Sequence, residues 1–137
     1  SGLRREDFVI ESKLAPIDFG PTSSPRAIDR ILEELNTSYV DILITHHMAC
    51  TEGAMCWSDW QRGWRPERWE PDGDFSAAYS ALEDAVLAGK ARAIGMSNVD
   101  ANILSLVLAS ARVKPALVSN AFNPFHQDRA VRELCAK

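Results

Sequence analysis

Two side chains that can handle protons, Lys13 and His46, each stand at the end of a stretch of strand-forming residues. Lys13 ends residues 8–13, and His46 follows the almost continuously aliphatic residues 40–45. A partly desolvated lysine beside an imidazole suits the polarisation of a carbonyl group, because the imidazole donates a hydrogen bond to the oxygen. A solvated lysine at a strand end and a hydrogen-bonded rim histidine account for the same two residues. Their spacing alone leaves both interpretations open.

Strand-like and helix-like segments alternate along the chain, and this alternation predicts how those side chains are held. The predicted strands are residues 8–13, 40–45, 91–96 and 116–119, and a helical pattern follows each of them. Ser24 and Pro25 are predicted to begin the first helix, Asp74 and Asp100 to cap two others, and Gly89 to end the second. The connections are long enough for parallel strands, so the sequence predicts an α/β fold of four βα units.

Polar residues at the strand ends distinguish between two parallel architectures, an open doubly wound sheet and part of a (β/α)8 barrel. Lys13, His46, Ser97 and either Ser119 or Asn120 lie at the carboxyl ends of their strands, where barrel enzymes keep their chemistry. A nucleotide-binding open sheet carries a glycine-rich turn after a strand, and this sequence has none. We therefore predict half of a TIM barrel, with four of its eight βα units.

Composition sets the class of protein. The chain has 137 residues, 46% of them hydrophobic, which suits one domain over residues 1–137. A net charge of −4 without a basic run excludes nucleic acid as a partner. No apolar stretch reaches the ~20 residues that span a membrane, and the amino end lacks a secretion signal, so a cytoplasmic location is predicted. Three cysteines in no paired motif predict free thiols and no metal.

A long segment at residues 48–73 shows no periodicity and contains all four tryptophans, among them Trp57. A substrate lid, an oligomer contact and a simple cover over a helix remain open as its role. If His46 points into the barrel mouth, His47 is expected to point toward the helices or to lie on the loop, because adjacent strand residues face opposite sides. We take Trp57 and His47 as candidate substrate contacts, and no third ligand is spaced to make the two histidines a metal site.

Four ordered stretches resemble the third to sixth strands of the aldo-keto reductase family. They are residues 5–13, 39–46, 89–98 and 114–116, and together they extend over essentially the whole chain. The resemblance implies a (β/α)8 barrel that binds NADP(H) in an extended form. It also implies reduction of a small aldehyde or ketone by a tetrad of tyrosine, lysine, histidine and aspartate.

Individual residues inherit expected roles from this resemblance. Lys13 matches the lysine that lowers the pKa of the family's tyrosine, and His46 matches the histidine that orients the substrate carbonyl. Ser97 and Asn98 match the pair that holds the nicotinamide carboxamide. Ser119 stands where the family usually has a glutamine against the nicotinamide, and it offers a shorter side chain.

Other parts of the family's site have no counterpart in these 137 residues. The family's aspartate and tyrosine belong to a strand that would precede Ser1, and its cofactor phosphate loops would follow Lys137. Tyr39 and Tyr79 are not expected to substitute, because one precedes a strand and the other lies on the apolar stripe of a helix. We therefore expect a truncated barrel that is completed by a homo-oligomer or a complementary half.

Three functional hypotheses follow. The first is a protein of NADPH-dependent carbonyl reductase ancestry that is inactive in hydride transfer as a lone monomer. The second is a cofactor-independent isomerase, dehydratase or cyclase that uses Lys13 and His46 as acid–base groups. The third is a non-catalytic pseudo-reductase or a gene fragment.

Overall fold

The computed structural model of the chain describes residues 2–47 and 75–136. Within them, four strands form one parallel sheet in the order β1-β2-β3-β4. The elements in chain order are β1 (Glu11–Leu14), α1 (Ser23–Glu34), β2 (Val40–Thr45), α2 (Phe75–Leu87), β3 (Ala91–Ser97), α3 (Ala101–Ser110), β4 (Leu117–Ser119) and α4 (Arg129–Cys135). The predicted α/β fold with parallel strands is confirmed.

The two faces of the sheet have different surroundings, because side chains alternate along each strand. On one face, Leu14, Leu43, Ile94 and Met96 are fully buried in the core that the sheet shares with the helices. The register places Lys13, Ile44, Gly95 and Leu117 side by side in one row on the opposite face. The predicted catalytic lysine therefore lies on the face opposite this core, in a row where Ile44 is fully buried.

The first strand is shorter than the sequence predicts. It begins at Glu11 rather than at Phe8, and Phe8 and Val9 are 45% and 71% exposed. The backbone N–H of Ile10 donates to the Asp41 carboxylate at 2.9 Å rather than to a backbone carbonyl. The Ile10 carbonyl still accepts from the backbone N–H groups of Asp41 and Ile42, so Ile10 joins β2 through its acceptor only.

The helix boundaries agree with the predicted signals at two ends and differ at a third. Asp100 caps α3, since its carboxylate accepts a hydrogen bond from the Ile103 N–H at 2.9 Å. Gly89 has a φ of 74° just after α2, the left-handed conformation that favours glycine. Ser24 is not the N-cap, because α1 already begins at Ser23. The Ser24 hydroxyl instead bonds to the loop before the helix, accepting from the Gly20 N–H and donating to the Asp18 carbonyl.

Two further predictions fall outside the described residues. They are the tryptophan-rich segment at 48–73, which includes Trp57, and the predicted cap Asp74. Among the helices that the structure describes, none has both the length and the apolar character needed to cross a bilayer.

Candidate functional site

The carboxyl ends of the four strands lie next to one another and form one rim of the sheet. Parallel pairing sets Leu14 opposite Thr45 and Ser97 opposite Ser119. The sheet hydrogen bonding continues one residue past β2, since the His46 N–H donates to the Leu14 carbonyl at 2.9 Å. The predicted catalytic and cofactor-binding residues are therefore collected at this rim.

Lys13 and His46 are close enough for the lysine charge to act on the imidazole. Burial lowers the pKa of His46 below its usual value, and the charges of His47 and Lys13 lower it further. The Lys13 side chain is 34% exposed, with its Nζ 3.9 Å from Glu11 Oε1. At neutral pH the His46 imidazole is therefore neutral, with one nitrogen that donates a hydrogen bond and one that accepts.

His47 lies in the bend after β2, the second of its two expected places, and packs against His46. The two ring centroids are 4.6 Å apart and the planes are tilted by 32°. The alternation expected for strand residues does not apply, because β2 ends at Thr45 and both histidines lie in the bend that follows. A contact between His47 and a substrate stays a prediction.

Asn98 connects three strands at the rim. Its backbone is left-handed, with a φ of 56°, a conformation that asparagine tolerates better than most residues. Its Nδ2 donates to the His46 carbonyl at 2.7 Å and to Ser97 Oγ at 3.0 Å, while its backbone N–H donates to the Ser119 carbonyl at 3.3 Å. The bond to His46 was not expected from the sequence. An asparagine directly after a strand was the available signal, because it combines a left-handed turn with a short amide.

Ser97 and Ser119 differ in how much of their side chains remains for a ligand. Ser97 is 2% exposed, and its hydroxyl donates to the Ser119 carbonyl at 2.7 Å while accepting from Asn98. The Ser119 hydroxyl and Asn98 Oδ1 have no hydrogen-bond partner within the described part of the chain. Asn98 and Ser119 therefore offer an acceptor and a hydroxyl, the groups that an amide complements. A ligand contact of Ser97 stays a prediction.

Asn120, the alternative to Ser119, is fully used inside the protein. Its Oδ1 accepts from the Val99 N–H at 3.1 Å, and its Nδ2 donates to the Val99 carbonyl at 2.7 Å and to the Asp128 carboxylate. These bonds tie the segment before α3 to the segment before α4. Of the two residues, only Ser119 has a side-chain polar group without a partner among the described residues.

The two tyrosines of the sequence lie away from this rim. The Tyr39 hydroxyl accepts a hydrogen bond from Arg92 at 3.0 Å, and the Tyr39 ring packs against the guanidinium groups of Arg5 and Arg92. Tyr79 is buried and its hydroxyl donates to the Val113 carbonyl at 3.0 Å. Burial raises the pKa of Tyr79 above its usual range, and the charge of Glu83 raises it further.

A groove lies beside β4, away from Lys13 and His46. Its volume is about 620 Å³. Its lining is mainly apolar and comes from α3, β4 and α4, including Leu104, Leu108, Val118, Val131 and Leu134. No polar residue of the candidate site other than Asn120 belongs to this lining within the described residues.

Comparison with known proteins gives one consistent family. The sequence model of the aldo/keto reductase family matches residues 2–137. A member of aldo-keto reductase family 4 from Arabidopsis thaliana is 32% identical over 134 residues, which are 97% of this chain and 40% of that protein. The glyoxal reductase of Bacillus subtilis is 27% identical over 135 residues, 98% of this chain and 41% of that protein. The chain thus spans about 40% of the length of the curated relatives it matches.

Solved structures show the same fold. The aldose reductase of Giardia lamblia superposes with a TM-score of 0.78 at 24% identity, over 98% of this chain and 44% of that chain. An aldo-keto reductase of the silkworm Bombyx mori, solved in complex with NADPH, gives a TM-score of 0.78 at 19% identity, over 98% and 37%. The four βα units therefore correspond to part of a (β/α)8 barrel.

Proposed function

The chain belongs to the aldo/keto reductase family, and from this membership we propose that it carries the lysine–histidine part of an NADPH-dependent reductase site for aldehydes or ketones. Its ancestry is that of an oxidoreductase. The observation that carries the proposal is the position of His46 at the carboxyl rim, where its N–H bonds to the carbonyl of Leu14, the residue after Lys13.

His46 and Lys13 divide the binding of the substrate carbonyl between them. The neutral imidazole of His46 donates a hydrogen bond to the carbonyl oxygen, which orients the substrate and polarises the C=O bond. The Lys13 ammonium stabilises negative charge that develops at the rim. Both groups act from the carboxyl rim of the sheet, where the Lys13 side chain is one-third exposed and accessible to a small molecule.

NADP(H), when bound, supplies the hydride that reduces the carbonyl carbon. Asn98 and Ser119 are the residues of this chain that suit its carboxamide, because Asn98 Oδ1 accepts an amide N–H and the Ser119 hydroxyl donates to an amide oxygen. The solved silkworm relative contains NADPH, which supports the choice of cofactor.

The proton donor of the reduction comes from outside these residues. Tyr39 is held by Arg92, and Tyr79 is buried with its hydroxyl bonded to Val113. We therefore expect the purified 137-residue chain to show no steady NADPH oxidation with aromatic aldehydes. Steady oxidation that follows added chain would contradict this part of the proposal.

NADPH binding to the purified chain is the direct test, measured by nicotinamide fluorescence or by calorimetry. The Ser119→Ala variant should weaken binding roughly fivefold, the effect of losing one neutral hydrogen bond. The Ser38→Ala variant is the matched control, because Ser38 is exposed before β2 at the opposite edge of the sheet. Absence of NADPH binding to the unsubstituted chain would contradict the proposal.

A second candidate function is acid–base catalysis without a cofactor. The lowered pKa of His46 favours it, because a neutral imidazole accepts a proton at neutral pH. The reaction class is isomerisation, dehydration or cyclisation beside a carbonyl group. Turnover without NADPH that is lost in both His46→Gln and Lys13→Met would support it, and turnover that survives both substitutions would exclude it. If the chain shows no NADPH binding and no turnover, the non-catalytic hypothesis is the one that remains.

We also propose that four further strands complete the sheet, from a second copy of this chain or from a complementary half. Two features support this arrangement. Both β1 and β4 have one edge without a partner strand among the described residues, and the apolar groove lies beside the β4 edge. Exposed strand edges and apolar patches favour association.

A further inference from the structure

His46 lies beyond the last residue of β2, so its own strand does not fix it. Its N–H is held on one side by the Leu14 carbonyl of β1 at 2.9 Å. Its carbonyl oxygen is held on the other side by Asn98 Nδ2 at 2.7 Å. The backbone of His46 is therefore fixed between β1 and β3 by two hydrogen bonds, one from each neighbour.

The second of these bonds comes from a side chain rather than from the backbone. The Asn98 backbone turns into the left-handed region, and its N–H bonds to Ser119 on the β4 side. Its side-chain amide reaches the β2 side, where it donates to the His46 carbonyl. The same Nδ2 also donates to Ser97 Oγ, which in turn donates to the Ser119 carbonyl, so the amide plane of Asn98 is itself held.

We propose that Asn98 is a positioning residue for His46, whose side-chain amide holds the His46 carbonyl and thereby fixes the place of the imidazole at the rim. The inference rests on the proposed function, since a fixed imidazole serves a carbonyl substrate. It adds to the expected cofactor contact of Asn98 a link between the cofactor side of the site and the histidine. Catalytic geometry depends on such supporting contacts, because a small misplacement of a reacting group reduces the rate strongly.

The Asn98→Gly variant tests this link, because glycine accepts the left-handed backbone and removes both side-chain hydrogen bonds. Asn36→Gly is the matched control, since Asn36 also has a positive φ of 48° and lies in an exposed turn after α1. NMR reports the carbonyl ¹³C shift of His46 and its imidazole titration, with His47→Gln and His126→Gln used for assignment. We expect Asn98→Gly to move the ¹³C signal of the His46 carbonyl. We also expect it to raise the midpoint of the His46 imidazole titration toward the ordinary histidine value. Asn36→Gly should do neither.

Two further measurements keep the test decisive if Asn98→Gly fails to fold. Asn98→Asp keeps the size and the left-handed tolerance but cannot donate, so it too should move the His46 carbonyl signal. In the unsubstituted chain, the side-chain amide protons of Asn98 should exchange with solvent more slowly than those of Asn36. An unchanged His46 carbonyl in a folded Asn98 variant, or equal exchange of the two amides, would overturn the proposal.

These measurements are made without cofactor or substrate. Failure of NADPH to bind would therefore contradict the proposed function and leave the His46 readings intact. A normal NADPH affinity with an unchanged His46 in Asn98→Gly would instead reject the positioning role alone.

Discussion

Asp41 joins three separate parts of the chain at the amino-terminal edge of the sheet. Its carboxylate accepts hydrogen bonds from the Ile10 N–H at 2.9 Å, from Arg5 at 2.7 Å and from Arg92 at 2.9 Å. These three contacts give Asp41 a structural role. Its position at the edge opposite Lys13 and His46 agrees with that role, since this edge of a barrel serves stability.

The Asp41→Asn substitution should remove part of the acid sensitivity of folding. The Ile10 N–H and then the Arg5 guanidinium hold the pKa of Asp41 below its ordinary value of 3.8. Because the folded-state pKa is depressed, this stabilisation is present above pH 3.8 and is lost as the pH falls through the folded-state pKa. Urea unfolding of both chains across that range should show a flatter pH dependence for the variant.

Asp29→Asn is the control for this prediction. Asp29 pairs with Lys90, but its side chain is 52% exposed, and exposed pairs contribute little to stability. Asp29→Asn should therefore leave the pH dependence of unfolding unchanged, whereas Asp41→Asn should flatten it. Equal pH dependence in Asp41→Asn and in the unsubstituted chain would show that the buried hydrogen bonds of Asp41 do not favour its charged form.

Thr45 carries a buried hydroxyl that is unpaired within the described residues. Its Oγ1 is buried and has no hydrogen-bond partner in the part of the chain that the structure describes. Thr45→Val replaces the hydroxyl with a methyl group of similar shape, so the free energy of unfolding should rise by about 1 kcal/mol. Thr37→Val is the comparison, because the Thr37 hydroxyl accepts from Arg5 and donates to the Tyr39 carbonyl. This variant should lower the free energy of unfolding by about 1 kcal/mol. Denaturant titration of both variants measures the two changes, and a loss of stability in Thr45→Val would contradict the expectation.

At the scale of the elements, β3 and β4 approach closely at Gly95. A Cβ there would stand 2.4 Å from the Leu117 carbonyl oxygen and 3.1 Å from Ile44 Cγ2. Gly95→Ala should therefore cost roughly 1–3 kcal/mol and separate β4 from β3. The amide of Ala116, which donates to the Ile94 carbonyl at 2.8 Å, should lose protection from hydrogen exchange. The control is Gly2→Ala, because a Cβ at Gly2 meets nothing within 4 Å. Unchanged protection of Ala116 in Gly95→Ala would contradict this reading of the strand contact.

For the whole molecule, the central prediction is association. The described sheet has four strands, and a closed barrel of this type has eight. Two copies related by a twofold axis along the barrel would set β4 of one copy beside β1 of its partner, with all strands parallel. Light scattering at micromolar concentration should therefore give at least twice the mass of one 15.2 kDa chain. A monodisperse monomer would reject self-association and leave a complementary half as the partner to seek.

Local patterns predicted the order of the elements but not all of their ends. The parallel α/β order follows from long connections and from the aliphatic run of β2, which are properties of neighbouring residues. The start of β1 was predicted too early, because the Asp41 carboxylate takes the Ile10 N–H from a distant part of the sequence. Ser24 is likewise not the N-cap that the sequence predicts. Its hydroxyl bonds to residues 18 and 20 of the preceding loop.

The sequence by itself determined the family, the parallel fold and the chemical types at the strand ends, because these depend on residue identity and spacing. Only the tertiary structure decided which hydrogen bonds connect the residues of the rim. In the folded chain, Asn120 bonds to Val99 and the Ser97 hydroxyl bonds to the Ser119 carbonyl. The Asn98 side chain donates to the carbonyl of His46. Such contacts join residues that lie up to 52 positions apart. Their geometry depends on strand register and on one left-handed residue, and neither can be read from the spacing of residue types along the chain.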